Sequence, residues 1–108
     1  TLTLIGSTPV SGSFKGKDSA IKLIENGVLS NLKFETVSFA NNWNIVAVEN
    51  NTVVGTMTLK GKSIHDKDYN QIYCQIFTLK DDKVYKLYEF FDTSLVETSL
   101  FNKEYKVT

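Results

Sequence analysis

From Tyr69 to Phe91 the chain alternates with a period of two, the spacing of strands rather than helices. Tyr69, Gln71, Tyr73, Gln75, Phe77 and Leu79 fall on one face, and Asn70, Ile72, Cys74, Ile76 and Thr78 on the other. Lys80-Asp81-Asp82-Lys83 supplies a polar turn. The return strand, Val84 to Phe91, puts Tyr85, Leu87, Glu89 and Phe91 on one face and Val84, Lys86, Tyr88 and Phe90 on the other. Aromatics, amides and one carboxylate then share a surface, a mixture that suits a pocket wall better than a plain core.

The remaining pattern adds more strands and one helix. Leu2 and Leu4 alternate with threonines as a short strand, and the turn-forming run Gly6 to Gly12 is a loop. Ala20, Ile21, Leu23 and Ile24 recur at helical spacing, which predicts a helix from Asp18 to about Asn26. Asp18 or Ser19 would cap it and a left-handed Gly27 would end it. Leu32 to Ala40 reads as a strand, Asn41 to Asn44 as a polar turn, and Ile45 to Glu49 as a further strand. Asn50-Asn51 forms a hairpin turn, and Val53 to Lys60 returns from it. Gly61 to Asp68 is a charged excursion carrying the lone histidine, His65. Asp92 to Ser94 caps a last helical turn with Leu95, Val96 and Leu100, and Asn102 to Thr108 reads as a polar tail.

These elements define an α+β chain with five to six mostly antiparallel strands. One helix cannot cover so large a sheet, so its apolar surface must close, pack on more helices or pair with a second copy. The outward face carrying Ile72, Cys74 and Ile76 predicts a homodimer.

Composition narrows the partners. At 108 residues and 42% hydrophobic content, residues 1–108 suit a single domain. Twelve basic and twelve acidic residues balance, and the short pairs Lys15/Lys17 and Lys60/Lys62 form no track for a phosphate backbone, which argues against nucleic acid. One cysteine excludes an internal disulfide, and Cys74 within an apolar strand predicts an inert buried thiol in a reducing compartment. No apolar run approaches the roughly 20 residues of a membrane helix, and no charged-then-apolar leader is seen. The expectation is a soluble, cytoplasmic protein. The first strand begins without an initiator methionine, which suggests a segment upstream.

Four stretches carry a likeness: GSTPVSGSFKGKDSAIKLI from Gly6 to Ile24, IVAVE from Ile45 to Glu49, YNQIYCQIFTLKDDKV from Tyr69 to Val84, and YEFFDTSLV from Tyr88 to Val96. In them the chain resembles the SnoaL-like branch of the nuclear transport factor 2 (NTF2) and ketosteroid isomerase superfamily. That resemblance implies a cone-shaped, strongly bent sheet wrapped on helix, an NTF2-like or cystatin-like roll. Family members usually begin with one or two helices that close the cone, so the chain reads as N-terminally truncated relative to them.

The likeness restricts chemistry more than it supplies it. The isomerase base position falls near Thr3 and its buried acid near Gln75, and a threonine cannot abstract a carbon-bound proton at neutral pH. The Arg-Asp pair of the related epoxide hydrolases would lie around Thr56 and Thr58, where neither type occurs, whereas Glu89 matches their last-strand acid. Glu89 is therefore the candidate catalytic group, in a setting where desolvation would raise its pKa. Gln71, Tyr73, Gln75, Phe77 and Leu87 are the candidate ligand-binding residues. Glu49 ends its strand in solvent, and His65 lies in a stretch too charged for anything but the surface. One histidine and one cysteine do not make a metal site, and Gly12 to Ser19 has the wrong glycine spacing for a phosphate loop, so no metal or cofactor is expected. The function these residues predict is binding of a hydrophobic small molecule in a pocket with a few polar groups. The alternative is a cyclase, isomerase or hydrolase using Glu89 as general acid or base with Tyr73 as its hydrogen-bonding partner.

Overall fold

The computed structural model describes residues 1–105, so the last three residues of the expected polar tail lie outside it. Its framework is one six-stranded sheet: β1 (Leu2–Leu4), β2 (Gly12–Phe14), β3 (Ser38–Glu49), β4 (Thr52–Lys60), β5 (Gln71–Lys80) and β6 (Lys83–Phe91). In space the order is β2-β1-β6-β5-β4-β3, and only the β1–β6 pairing is parallel. The sheet stays open, with β2 and β3 at its edges. A bent, mixed, mostly antiparallel α+β sheet packed on helix is thus what the pattern predicted.

The β5–β6 hairpin closes through Asp81 and Asp82, whose φ angles of 52° and 62° are those of a two-residue turn that follows strand twist. Asn50 takes φ 53° between β3 and β4. The β5–β6 register slips once, between Thr78 and Leu79: Leu79 faces Val84, but Thr78 faces Lys86, which leaves Tyr85 as the extra residue. The expectation that Val84 points with Lys86 fails at this bulge.

Three further expectations are corrected. Of the expected strand Leu32 to Ala40 only the end, from Ser38, is strand: Leu32 makes only an isolated bridge to Ser63, and Phe34–Thr36 form a 3-10 turn held by the Thr36 hydroxyl donating to the Lys33 carbonyl at 2.6 Å. Asn41 to Asn44 is not a turn but the middle of β3. Ala40 and Asn42 adopt positive φ there and the register shifts repeatedly, so a run that resembled a turn instead bends a continuous strand. Nor does Gly27 end the helix. Helix α1 (Lys17–Leu23) has no side-chain cap and runs on into a wider π-helical turn, Ile24–Val28, and a 3-10 turn, Leu29–Asn31. Gly27 is instead required by packing, since a Cβ there would lie 2.8 Å from Val10 Cγ1.

The core lies between the inner face of the sheet and these helical turns, with Leu2, Leu4, Met57, Leu59, Tyr69 and Tyr73 packed against Val10, Val96 and Leu100. Asp92 accepts from Leu95 N at 3.1 Å and starts the last helical segment, α2 (Thr93–Leu95) followed by the π-helical turn Val96–Leu100. The outer face is left bare. Ile72 is 61% exposed, and Cys74 is half-buried rather than the enclosed thiol the sequence predicts, because no described residue covers this side. Among the described residues no helix is long and apolar enough to cross a membrane.

Candidate functional site

Side chains paired across neighbouring strands point to the same face, so the register sorts the inner wall into rows. One row runs Met57, Tyr73, Phe91; the next Gly55, Gln75, Glu89, Leu4; the third Val53, Phe77, Leu87, Leu2. Above these rows lies a cavity of about 210 Å³, roofed by Ile24, Val28 and Leu29 and flanked by Phe39. Its floor takes Leu2 and Leu4 from β1, Met57 and Leu59 from β4, Tyr73 and Gln75 from β5, and Leu87 and Glu89 from β6. A smaller void continues behind Tyr73 toward Tyr69 and Val96.

Polar atoms gather at one place on this apolar floor. Gln75 Nε2 donates to Glu89 Oε2 at 2.8 Å, the directly opposed pair of the β5–β6 register. Burial pushes the Glu89 carboxyl up from its ordinary value, and the Gln75 hydrogen bond pulls it only partly back. Burial also pushes the Tyr73 phenol up, helped by the adjoining Tyr69 hydroxyl and the Glu89 charge, so Tyr73 stays protonated at any physiological pH. Tyr69 shifts the same way, chiefly through burial.

The sequence-predicted residues separate in space. Tyr73, Gln75, Leu87 and Glu89 come together on the cavity wall. Phe77 stands farther along the same face and does not line the cavity. Gln71 is buried below it and fully engaged: Nε2 donates to the Asp92 carbonyl at 2.9 Å and to the Tyr69 hydroxyl at 3.3 Å, while Oε1 accepts from the amides of Asp92 and Ile72 at 2.9 and 3.0 Å. Its side chain fastens the end of β6 to β5. Glu49 and His65 are exposed, and the neighbours of His65 are spent in surface ion pairs, Lys33–Asp66 at 2.9 Å and Lys62–Asp68 at 3.1 Å. The described residues contain no cluster of three or more His, Cys, Asp or Glu side chains that could hold a metal.

Sequence reasoning missed Tyr69 as the residue behind Tyr73, and missed the helical roof. Tyr69 was legible as a member of the face but not as a partner, because it lies just ahead of β5 and its hydroxyl meets a side chain of the same chain segment, Gln71, rather than one across the sheet. Met57 and Leu59 carried a usable signal, since they alternate with Val53 and Gly55 on one face of β4.

No family model matches this chain, and no curated protein matches it. Solved structures do. A Bacillus subtilis protein classed as an isomerase superposes with a TM-score of 0.76 at 14% identity, covering 97% of this chain and 75% of its own. An NTF2-like protein from Burkholderia xenovorans gives 0.73 at 16% identity, covering 92% and 72%. A protein from Jannaschia classed as a SnoaL-like polyketide cyclase gives 0.65 at 17% identity, covering 95% and 71%. The chain has the NTF2-like fold, that of the SnoaL-like and isomerase structures. A shared fold of this kind hosts many chemistries and does not choose among them.

Proposed function

We propose that this protein binds a small, largely apolar molecule in the cavity over β4, β5 and β6. The observation that supports it most is a half-buried carboxyl, Glu89, held by Gln75 on one wall of an otherwise apolar enclosure of about 210 Å³. Such a combination is characteristic of ligand sites, where a few polar groups orient a molecule that apolar walls retain. The volume exceeds the roughly 150 Å³ that suffices for one benzene ring. Binding is favoured over acid-base catalysis because the ionisable group beside Glu89 is Tyr73, whose raised phenol supplies a hydrogen bond but no base. The NTF2-like neighbours are consistent with either role.

Met57 is the single methionine of the sequence and lies in the cavity floor, so its isotope-labelled methyl group reports on the site. Titration with phenethyl alcohol is expected to move that signal saturably, at millimolar concentration or below, and Leu87→Trp is expected to abolish the movement by filling the space. A methyl signal indifferent to the probe would overturn the cavity reading.

The same reading takes residues 1–108 as one domain that forms a homodimer. Ile72, Cys74 and Ile76 on β5 adjoin Tyr88 and Phe90 on β6, pairing Cys74 with Phe90 and Ile76 with Tyr88, and make an apolar outer stripe of the kind that monomers rarely leave bare. Sedimentation is expected to give a dimer at micromolar concentration and a monomer for Ile72→Lys. A wild-type monomer would count against it.

A further inference from the structure

The polar end of the cavity is unbalanced in a way that specifies its ligand's head group. Gln75 gives one of its two amide hydrogens to Glu89 Oε2, and neither Gln75 Oε1 nor Glu89 Oε1 receives a side-chain or amide donor from the described residues. The Tyr73 hydroxyl lies near that of Tyr69 and offers an accepting lone pair. Acceptors therefore outnumber donors at this spot.

The charge is just as lopsided. The other side chains that line the two voids bordered by Glu89 are uncharged, among them Leu4 on β1, Leu87 and Phe91 on β6, and Ile24 and Val28 in the roof. The titratable groups that face it are Tyr73 and, behind it, Tyr69, both phenols that stay neutral. The ion pairs among the described residues, Lys33–Asp66, Lys62–Asp68 and Lys103–Glu97, all lie elsewhere. Glu89 is half-buried with one side-chain hydrogen bond, from Gln75, and no cation beside it within the described residues, so part of the cost of taking its charge from water is left uncompensated.

We propose that the ligand supplies both, and that the cavity is selective for an organic ammonium: a small aromatic or alicyclic body with a primary or secondary amine at one end. The three protons of a primary ammonium match the three accepting atoms Glu89 Oε1, Gln75 Oε1 and Tyr73 Oη. The apolar floor, from Leu2 to Met57, takes the body. This rests on the cavity being a ligand site, and it adds the class of ligand.

Phenethylamine, phenethyl alcohol and acetophenone share one ring and nearly one shape but differ in head group, so the Met57 methyl signal can rank them at about pH 8, where an alkyl amine is still protonated. The amine is expected to bind about tenfold or more tightly than the alcohol, the scale of a hydrogen bond to a charged group. In Glu89→Gln, which keeps shape and removes charge, the two are expected to fall within about twofold of each other. Lowering the pH through the Glu89 titration should erode the amine's advantage and leave the alcohol unchanged.

An alcohol or ketone that matches the amine on the wild-type protein overturns the proposal while leaving the cavity reading intact. So does an amine advantage that survives Glu89→Gln. Binding of none of the three overturns the cavity reading together with the ammonium class. The wild-type comparison stands even where the variant fails to fold.

Discussion

Gln71→Leu is expected to lower the unfolding free energy by about 3 kcal/mol, although it replaces a polar residue in the protein interior by an apolar one of similar size. A buried glutamine with free lone pairs would be a liability, and its replacement neutral or better. Gln71 is the opposite case: its amide holds both backbone groups of Asp92 and the Tyr69 hydroxyl, all of which leucine strands at once. Stranded donors and acceptors cost roughly 1–3 kcal/mol each, less here for the Asp92 groups because that residue is exposed. In thermal denaturation the loss corresponds to about 13 °C for a domain of this size. Asp92 also caps α2, so the last helical segment should loosen with it, and amide exchange of Leu95 should accelerate. A variant as stable as the wild type would remove Gln71 from the framework and return it to the set of candidate ligand contacts.

The second large effect is expected at Leu100. It is fully buried at the end of the π-helical turn Val96–Leu100, in the cluster that contains Val10, Tyr69 and Val96. Leu100→Ala should cost about 3–4 kcal/mol, combining lost transfer energy with a cavity that the surrounding strands cannot collapse to fill. Against a typical total of roughly 5–15 kcal/mol this is a substantial fraction, and chemical denaturation should show an earlier midpoint at unchanged slope. Ile72→Ala, an apolar truncation on the bare outer face, gives the contrast: in the monomer it should change stability by less than about 0.5 kcal/mol. If the two truncations cost the same, the core does not sit where the structure places it.

The uneven legibility of the fold has local causes. The β5–β6 hairpin could be read because period-two alternation flanks a two-residue acidic turn, whereas the bulge at Tyr85, which alone reconciles that turn with Glu89 facing inward, leaves no mark in the pattern. β3 could not be segmented because asparagine serves equally in a turn and in a strand bulge. What decides between them is whether β4 pairs beside it, and Asn41 does pair with Thr58 there. The helix start was located to within a residue, though neither Asp18 nor Ser19 caps it, and its end was missed because Gly27 was read for the backbone freedom glycine allows, whereas its role is to make room for Val10. In the candidate site, Gln71 and Gln75 are the same residue type on the same face of one strand. Only their distance from Asp92 separates an amide that ties backbone from one that orients a carboxyl, and that distance is set by the chain's return, not by anything near either residue. Glu89 stood out because it is the sole acid on its face, a signal that needs no tertiary information.

The extra residue in β6 has a meaning beyond geometry. A hairpin closed by a two-residue turn, as at Asp81-Asp82, would by simple counting set Gln75 against Tyr88 and turn Glu89 outward. Tyr85, absorbed without a partner, moves the count by one and brings Glu89 inside, with Leu87 and Phe91, while sending Tyr88 and Phe90 to the outer stripe. Cavity and outer face are therefore two readings of a single frame. In the divergence of such a chain, an insertion or deletion of one residue in this strand would exchange them together, so a ligand site and an association surface that share no side chain are tied to the same point in the sequence.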